Sequence, residues 1–213
     1  EIFFIKMLGG GSLVIAMPAL LGIRKRFPNL KMVLICSPQI RPFAQALKIF
    51  DEILCIEDSS ISKLISTASI AIFRSFRCDT FVDLEVYSRL SSVFSIITAA
   101  RNRIGFYLEA TFWRKIIFTH LIFFNRFGRA YFFYEQITRL LGATPAEWSE
   151  CREHITRSLG NPAHAGETLY RRIGIWHSCS DLALERMLEP KHWVFVAKER
   201  VSTDEKCEIF LLG

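Results

Sequence analysis

Apolar residues in the first hundred positions follow two habits. Some form short unbroken runs, and others recur every three or four residues over longer stretches. The runs are Ile2 to Ile5, "KMVLIC" from Lys31, residues 52–56 and "DTFVDLEV" from Asp79, and each predicts a strand buried on both faces. Between them the spacing predicts helices over residues 13–26, 40–47, 59–73 and 89–99, then a short strand at "NRIGF". Pro28-Asn29 stops the first helix and Ser37-Pro38 breaks the second strand. Strands alternating with helices of this length predict an α/β fold with a mainly parallel sheet covered on both faces. Ligands of such sheets sit at the carboxyl ends of the strands, which directs attention to loops 8–12, 37–41, 57–60 and 85–88.

From Phe106 to Tyr134 the pattern changes to a dense aromatic stretch, "FYLEATFWRKIIFTHLIFFNRFGRAYFFY". A helix over residues 130–141 ends at Gly142, and a polar stretch without strand signals follows. Then "RRIGIWHS" predicts a strand, "EPKHWVFVAKER" a helix and "CEIFLLG" another strand. The expected organisation is a first domain over 1–145, a connector over 146–169, and the start of a second α/β unit over 170–213.

Half of the residues are hydrophobic (51%), enough to build a core, and the formal net charge is +6. That modest basic excess suits a nucleotide, a phosphorylated sugar or an anionic membrane surface, and equally an ordinary solvated basic surface. No module spacing for nucleic acid appears. The longest early apolar run, Ser12 to Ile23, is too short to span a bilayer, which needs about 20 residues. It also has its basic cluster, Arg24-Lys25-Arg26, on the wrong side for a signal peptide, so a cytoplasmic protein is expected. The six cysteines are widely spaced, without a CxxC pair, and read as free thiols. The histidines form no ligand spacing, so neither a metal nor a cofactor is expected.

The stretch "LGGGSLVIAMPAL" carries the first chemical signal. A dinucleotide fingerprint would need glycine where Val14 stands and an acidic residue where Cys36-Ser37 end the second strand. A phosphate-binding P-loop would close with Gly-Lys-Ser/Thr, which is lacking. What remains is a glycine turn that allows positive φ and close backbone approach to a ligand, or a tight corner alone.

"KMLGGGSLVIAMPALLGIRKRFPN", "FDEILCIED", "FVDLEVYSRLSSVFSIITAARNRIGFY" and "GIWHSCSDLALER", in this order and spacing, resemble glycosyltransferase family nine. These are the ADP-heptose:lipopolysaccharide heptosyltransferases and their relatives, and the resemblance covers nearly the whole chain. It implies a GT-B architecture: a complete N-terminal Rossmann-like domain for the acceptor, and here only the first part of a second, nucleotide-sugar-binding one. By that reading the isolated stretch is inactive. The implied reaction is an inverting, metal-independent transfer of a heptose-like sugar from an ADP-sugar donor to a lipid-linked, lipopolysaccharide-type acceptor in bacterial surface-glycan assembly. Peripheral contact with the inner membrane goes with it. The alternative is a non-catalytic sugar- or nucleotide-binding module, favoured by Ser12 standing where the family has an aspartate.

Inversion needs a base for the acceptor hydroxyl, and serine does not supply one unaided. Ser12 reads instead as the helix cap, its oxygen accepting a backbone N–H. Gly9, Gly10, Gly11 and Ser12 are the expected acceptor-binding residues. Glu85, at the end of the fourth strand, is the expected base, with Asp83 second, since alternation puts both on one face. Either could equally make a salt bridge. The resemblance places Ser180 and Arg186 at the donor phosphates, although Met187-Leu188-Glu189 departs from the family's Arg-Trp-Pro. Finally, Arg114, Lys115, Arg126 and Arg129 among the aromatics suit either anionic lipid headgroups or packing that caps the sheet.

Overall fold

The computed structural model describes residues 1–160, 171–176, 188–203 and 207–212, which form two compact units, Glu1–Gly160 and Asn161–Gly213. The first is built on a six-stranded parallel sheet of order β3-β2-β1-β4-β5-β6. Its strands are β1 (Ile2–Lys6), β2 (Met32–Cys36), β3 (Glu52–Cys55), β4 (Thr80–Asp83), β5 (Asn102–Tyr107) and β6 (His120–Phe123). Every residue of β1, β2 and β4 is buried. Strands covered on both faces by helices have no solvent side, and this is why they read as continuous apolar runs.

Two cores flank the sheet. Phe4, Leu34, Val82 and Phe106 point to the side packed by α1 (Gly10–Ile15), α2 (Met17–Arg26), α3 (Arg41–Leu47), α6 (Ala130–Leu140) and α7 (Trp148–Leu159). Phe3, Ile5, Val33 and Phe81 point to the other side, packed by α4 (Ile61–Ser75) and α5 (Arg89–Ile97). The close fit of α2 depends on one glycine: a Cβ on Gly22 would lie 2.2 Å from the Thr144 carbonyl oxygen. The Ala146 N–H donates to the Pro18 carbonyl across the same contact, at 2.9 Å.

Three local features differ from the sequence reading. The helix expected over residues 13–26 is two helices meeting at Ala16. Pro18 has no N–H to donate to the Val14 carbonyl, so the ladder is interrupted, and the proline sits in the first turn of α2 where that loss is tolerated. Within the aromatic stretch a 3₁₀ segment (Glu109–Ile116) leads into β6, an edge strand in which only Ile122 is buried. An edge strand with such a pattern carries no clear period. The polar stretch read as a connector contains α7, which buries Cys151 and packs Ile155 on the core while its glutamates face solvent.

In the second unit β7 (Arg171–Trp176) and β8 (Cys207–Leu212) pair in parallel, with α8 (Pro190–Thr203) between them in sequence. Among the described residues no helix is long and apolar enough to cross a membrane.

Candidate functional site

The chain order doubles back at β1. From β1 it proceeds outward to β2 and β3, then returns to place β4 on the other side of β1. The carboxyl ends of β1 and β4 therefore open a crevice, the position where open parallel sheets take their ligands. The glycine turn leaves β1 at this point, and Glu85 follows β4 opposite it.

Glu85 is buried and holds the turn. Its Oε1 accepts the backbone N–H groups of Met7 (2.8 Å) and Leu8 (2.9 Å), and its Oε2 pairs with Lys6 Nζ at 3.0 Å. On the other side of the turn, Ser37 Oγ donates to the Met7 carbonyl at 2.7 Å. Two neighbouring loops thus pin the backbone where it enters the turn.

Beneath Glu85 lies a second buried carboxylate. Asp83 Oδ1 accepts the Glu85 N–H (2.9 Å), and its Oδ2 accepts from Ser91 Oγ (2.8 Å) and Arg114 Nη2 (2.7 Å). Burial pushes the Asp83 carboxyl up to about 6, against the pull of the Arg114 charge, the Glu85 N–H and the Ser91 hydroxyl. Arg114 is fully buried; it donates to the Val86 carbonyl at 3.1 Å and lies 4.6 Å from the Phe118 ring centre. Of its two expected roles, headgroup contact and packing, Arg114 thus takes packing. Nothing but bulk and charge marked it in the sequence, where it stands among exposed basic residues. Lys6 was missed too, and its signal is a lysine ending an otherwise apolar strand that is buried on both faces.

The glycine turn divides its work. Gly9 caps α1 at φ 76°, a conformation that suits glycine. Gly10 leaves room for Phe43 of α3, whose ring would lie 2.3 Å from an added Cβ. Gly11 faces open space, with nothing within 4 Å. Ser12 is not the cap: it lies inside α1, where its hydroxyl donates to the Gly9 carbonyl at 2.6 Å. With Gly9 already in the cap position, the serine oxygen has no first-turn N–H to accept. Burial holds the Tyr134 phenol well above its ordinary value.

Farther along the same edge, past β5 and β6, Leu108, Glu109, Phe123, Phe124, Asn125 and Arg126 line an open groove of about 510 Å³. Aromatic packing accounts for the inner part of this region: Phe106 contacts Phe133 and Tyr134, and Phe124 contacts Phe133. Phe112, Phe123 and Phe127 remain exposed, as do Lys115, Arg126 and Arg129. Ser180 and Arg186 lie outside the described residues.

No family model and no curated protein sequence matches the chain. Solved structures do. The E. coli heptosyltransferase WaaC with ADP superposes over 99% of this chain and 67% of its own, with a TM-score of 0.74 and 13% identity. A glycosyl transferase family 9 structure from Veillonella parvula DSM 2008 gives 0.67 at 16% identity, with 100% of this chain and 62% of that one covered. E. coli ADP-heptose lps heptosyltransferase II gives 0.67 at 13% identity, over 100% and 64%. The chain thus has the GT-B-type α/β fold of these transferases and spans about two thirds of their length. The resemblance read from the sequence holds at the level of fold.

Proposed function

We propose that this chain is the acceptor-binding part of an inverting, metal-independent glycosyltransferase that moves a heptose-like sugar from an ADP-sugar to a lipid-linked glycan. The observation that carries this reading is the glycine turn, clamped by Glu85 at the reversal of the sheet, in a chain that superposes along its whole length on heptosyltransferases. Such a turn presents bare backbone at Gly11, where a part of the acceptor away from its reacting hydroxyl can come close. The groove beside β5 and β6 gives the acceptor a partly aromatic wall. A lipid-linked acceptor also brings the protein against a membrane surface.

In this reading Glu85 and Asp83 act as positioning residues, because their oxygens are engaged by Lys6, Arg114, Ser91 and three backbone N–H groups. Proton removal falls to Glu109, an exposed carboxylate lining the groove that makes no ion pair among the described residues. Turnover of an ADP-sugar by the whole protein, read as ADP release with a lipid-linked glycan acceptor, tests the proposal. Glu109→Gln is expected to lower kcat by on the order of 10²-fold, the scale of a general base. Glu85→Gln is expected to raise the acceptor KM and lower the melting temperature while the pH profile of kcat stays in place. Loss of the basic limb in Glu85→Gln, with Glu109→Gln normal, would reverse the two assignments.

A second reading, a binding module without turnover, is favoured by the serine at position 12, which leaves no carboxylate on the turn itself. Tight ADP-sugar binding without ADP release under any acceptor would select it.

A further inference from the structure

Helix α5 is built inside out. Its buried side carries Ser91, Ser92 and Ser95, followed by Thr98 at its end, whereas Leu90, Val93, Ile96 and Ile97 face solvent, Leu90 at 70% exposure. The inward hydroxyls are satisfied locally. Ser92 Oγ donates to the Ser88 carbonyl and Ser95 Oγ to the Ser91 carbonyl, both at 2.9 Å, and Ser91 Oγ reaches Asp83. A surface helix ordinarily puts its apolar stripe on the core and its polar residues outside. Here the sheet is satisfied by small polar residues and Phe94, so the outward aliphatic stripe has no partner within this unit.

Its neighbour continues the surface. Helix α4 packs Ala71 and Ser75 inward and exposes Ile61, Ile65, Ile70 and Phe73, the last at 83% exposure. The two helices meet at their carboxyl ends, where the Arg77 N–H donates to the Thr98 carbonyl at 2.6 Å. Exposed apolar side chains extended over two helices exceed what a solvated monomer surface usually shows, and mark an interaction face.

Charge selects the partner. Neither α4 nor α5 contains an acidic residue, while Lys63, Arg77 and Arg89 flank the apolar side chains and form no ion pair with a described residue. Helix α7, on the opposite side of the sheet, carries Glu150 and Glu153. A second copy docked through the same face would bring two sets of helices that carry cations and no acidic residue against each other, which disfavours a symmetric dimer. Asp58 and Asp79 lie exposed beyond the two ends of α4, and Arg74 is paired with Glu1 and Glu52. The helices themselves carry only cations beside their aliphatic and phenylalanine side chains, a combination that fits the interface of an anionic bilayer.

We infer that the α4–α5 face docks on an anionic lipid surface, inserting Ile61, Ile65, Phe73, Leu90 and Ile97 among the acyl chains while Lys63, Arg77 and Arg89 meet the headgroups. This assigns the membrane contact to the side of the sheet and not to the aromatic segment after β5. Vesicle binding is read without sugar transfer, so its failure is separate from failure of the proposed reaction.

The test is co-sedimentation of the protein with phosphatidylcholine vesicles and with vesicles containing phosphatidylglycerol. Binding is expected to the anionic vesicles, to weaken with added salt, and to be marginal on neutral ones. Lys63→Gln and Arg89→Gln are each expected to weaken it about fivefold. Ile65→Ser with Leu90→Ser should weaken it on the order of tenfold or more, with the circular dichroism spectrum and melting temperature retained. Phe127→Ser, in the loop before α6, should leave it unchanged. Absence of vesicle binding, or binding lost in Phe127→Ser but kept in the α4–α5 variants, overturns the assignment. So does a dimer in sedimentation equilibrium that Ile65→Ser with Leu90→Ser dissolves, since the face would then belong to a protein contact.

Discussion

Asp83 and Arg114 show most plainly how a single residue here depends on its partner. Each is fully buried, and each would be an unpaired charge in the core without the other. Removing one partner of such a pair typically costs about 3–5 kcal/mol, whereas replacing both with apolar groups costs far less. Arg114→Leu should therefore lower urea stability severely, and Asp83→Asn combined with Arg114→Leu should recover part of the loss. Equal destabilisation by the single and double variants would show that the pair carries no coupling. Ser12→Ala, by contrast, removes a hydroxyl that caps nothing, and its effect on stability should stay within about 0.5 kcal/mol. Cys36 offers a pH test. Burial pushes its thiol up to about 12 from an ordinary 9. Between those two values the folded chain keeps a proton that the unfolded chain releases, so this thiol makes stability fall as pH rises from about 9. Cys36→Ala should flatten that alkaline slope in denaturant titrations, and an unchanged slope would refute the assignment.

At the scale of elements, the glycines of α1 and α2 separate conformation from packing. A Cβ at Gly22 meets fixed backbone at Thr144, so Gly22→Ala must push α2 away from the loop after α6 and should cost about 1–3 kcal/mol. At Gly11 a Cβ meets nothing, and alanine there should gain up to about 1 kcal/mol through helix propensity. If Gly11 is the acceptor's point of approach, that same stabilised variant should bind acceptor less tightly. Thermal melts and acceptor titrations together read both effects. Gly10 lies between these cases, since the blocking Phe43 ring is partly exposed and can swing away.

For the whole molecule, the first unit completes its own sheet and both of its cores within residues 1–160. That segment expressed alone should unfold cooperatively, with circular dichroism and fluorescence transitions that coincide. Separate transitions would mean that its two cores are not one folding unit.

The amino-acid sequence by itself determined the alternation of strands and helices, the parallel sheet and the place of the glycine turn. Unbroken apolar runs and helical periods are local signals that survive without knowledge of neighbours. It also placed Asp83 and Glu85 near the end of the fourth strand, although the strand stops at Asp83 and a hydrogen bond from the Glu85 N–H, not strand alternation, ties the two together. Tertiary structure decided the rest. Whether those carboxylates meet water, an acceptor or a buried cation depends on Arg114 and Lys6, one distant in sequence and one on a neighbouring strand. The edge strand β6 and helix α7 followed from contacts that no local period announces, whereas the break at Ala16 traces to Pro18 itself. The outward apolar stripe of α5 reads in sequence as an ordinary amphipathic helix; only packing against the sheet shows which side is in, because the moment of a helix has a magnitude but no address.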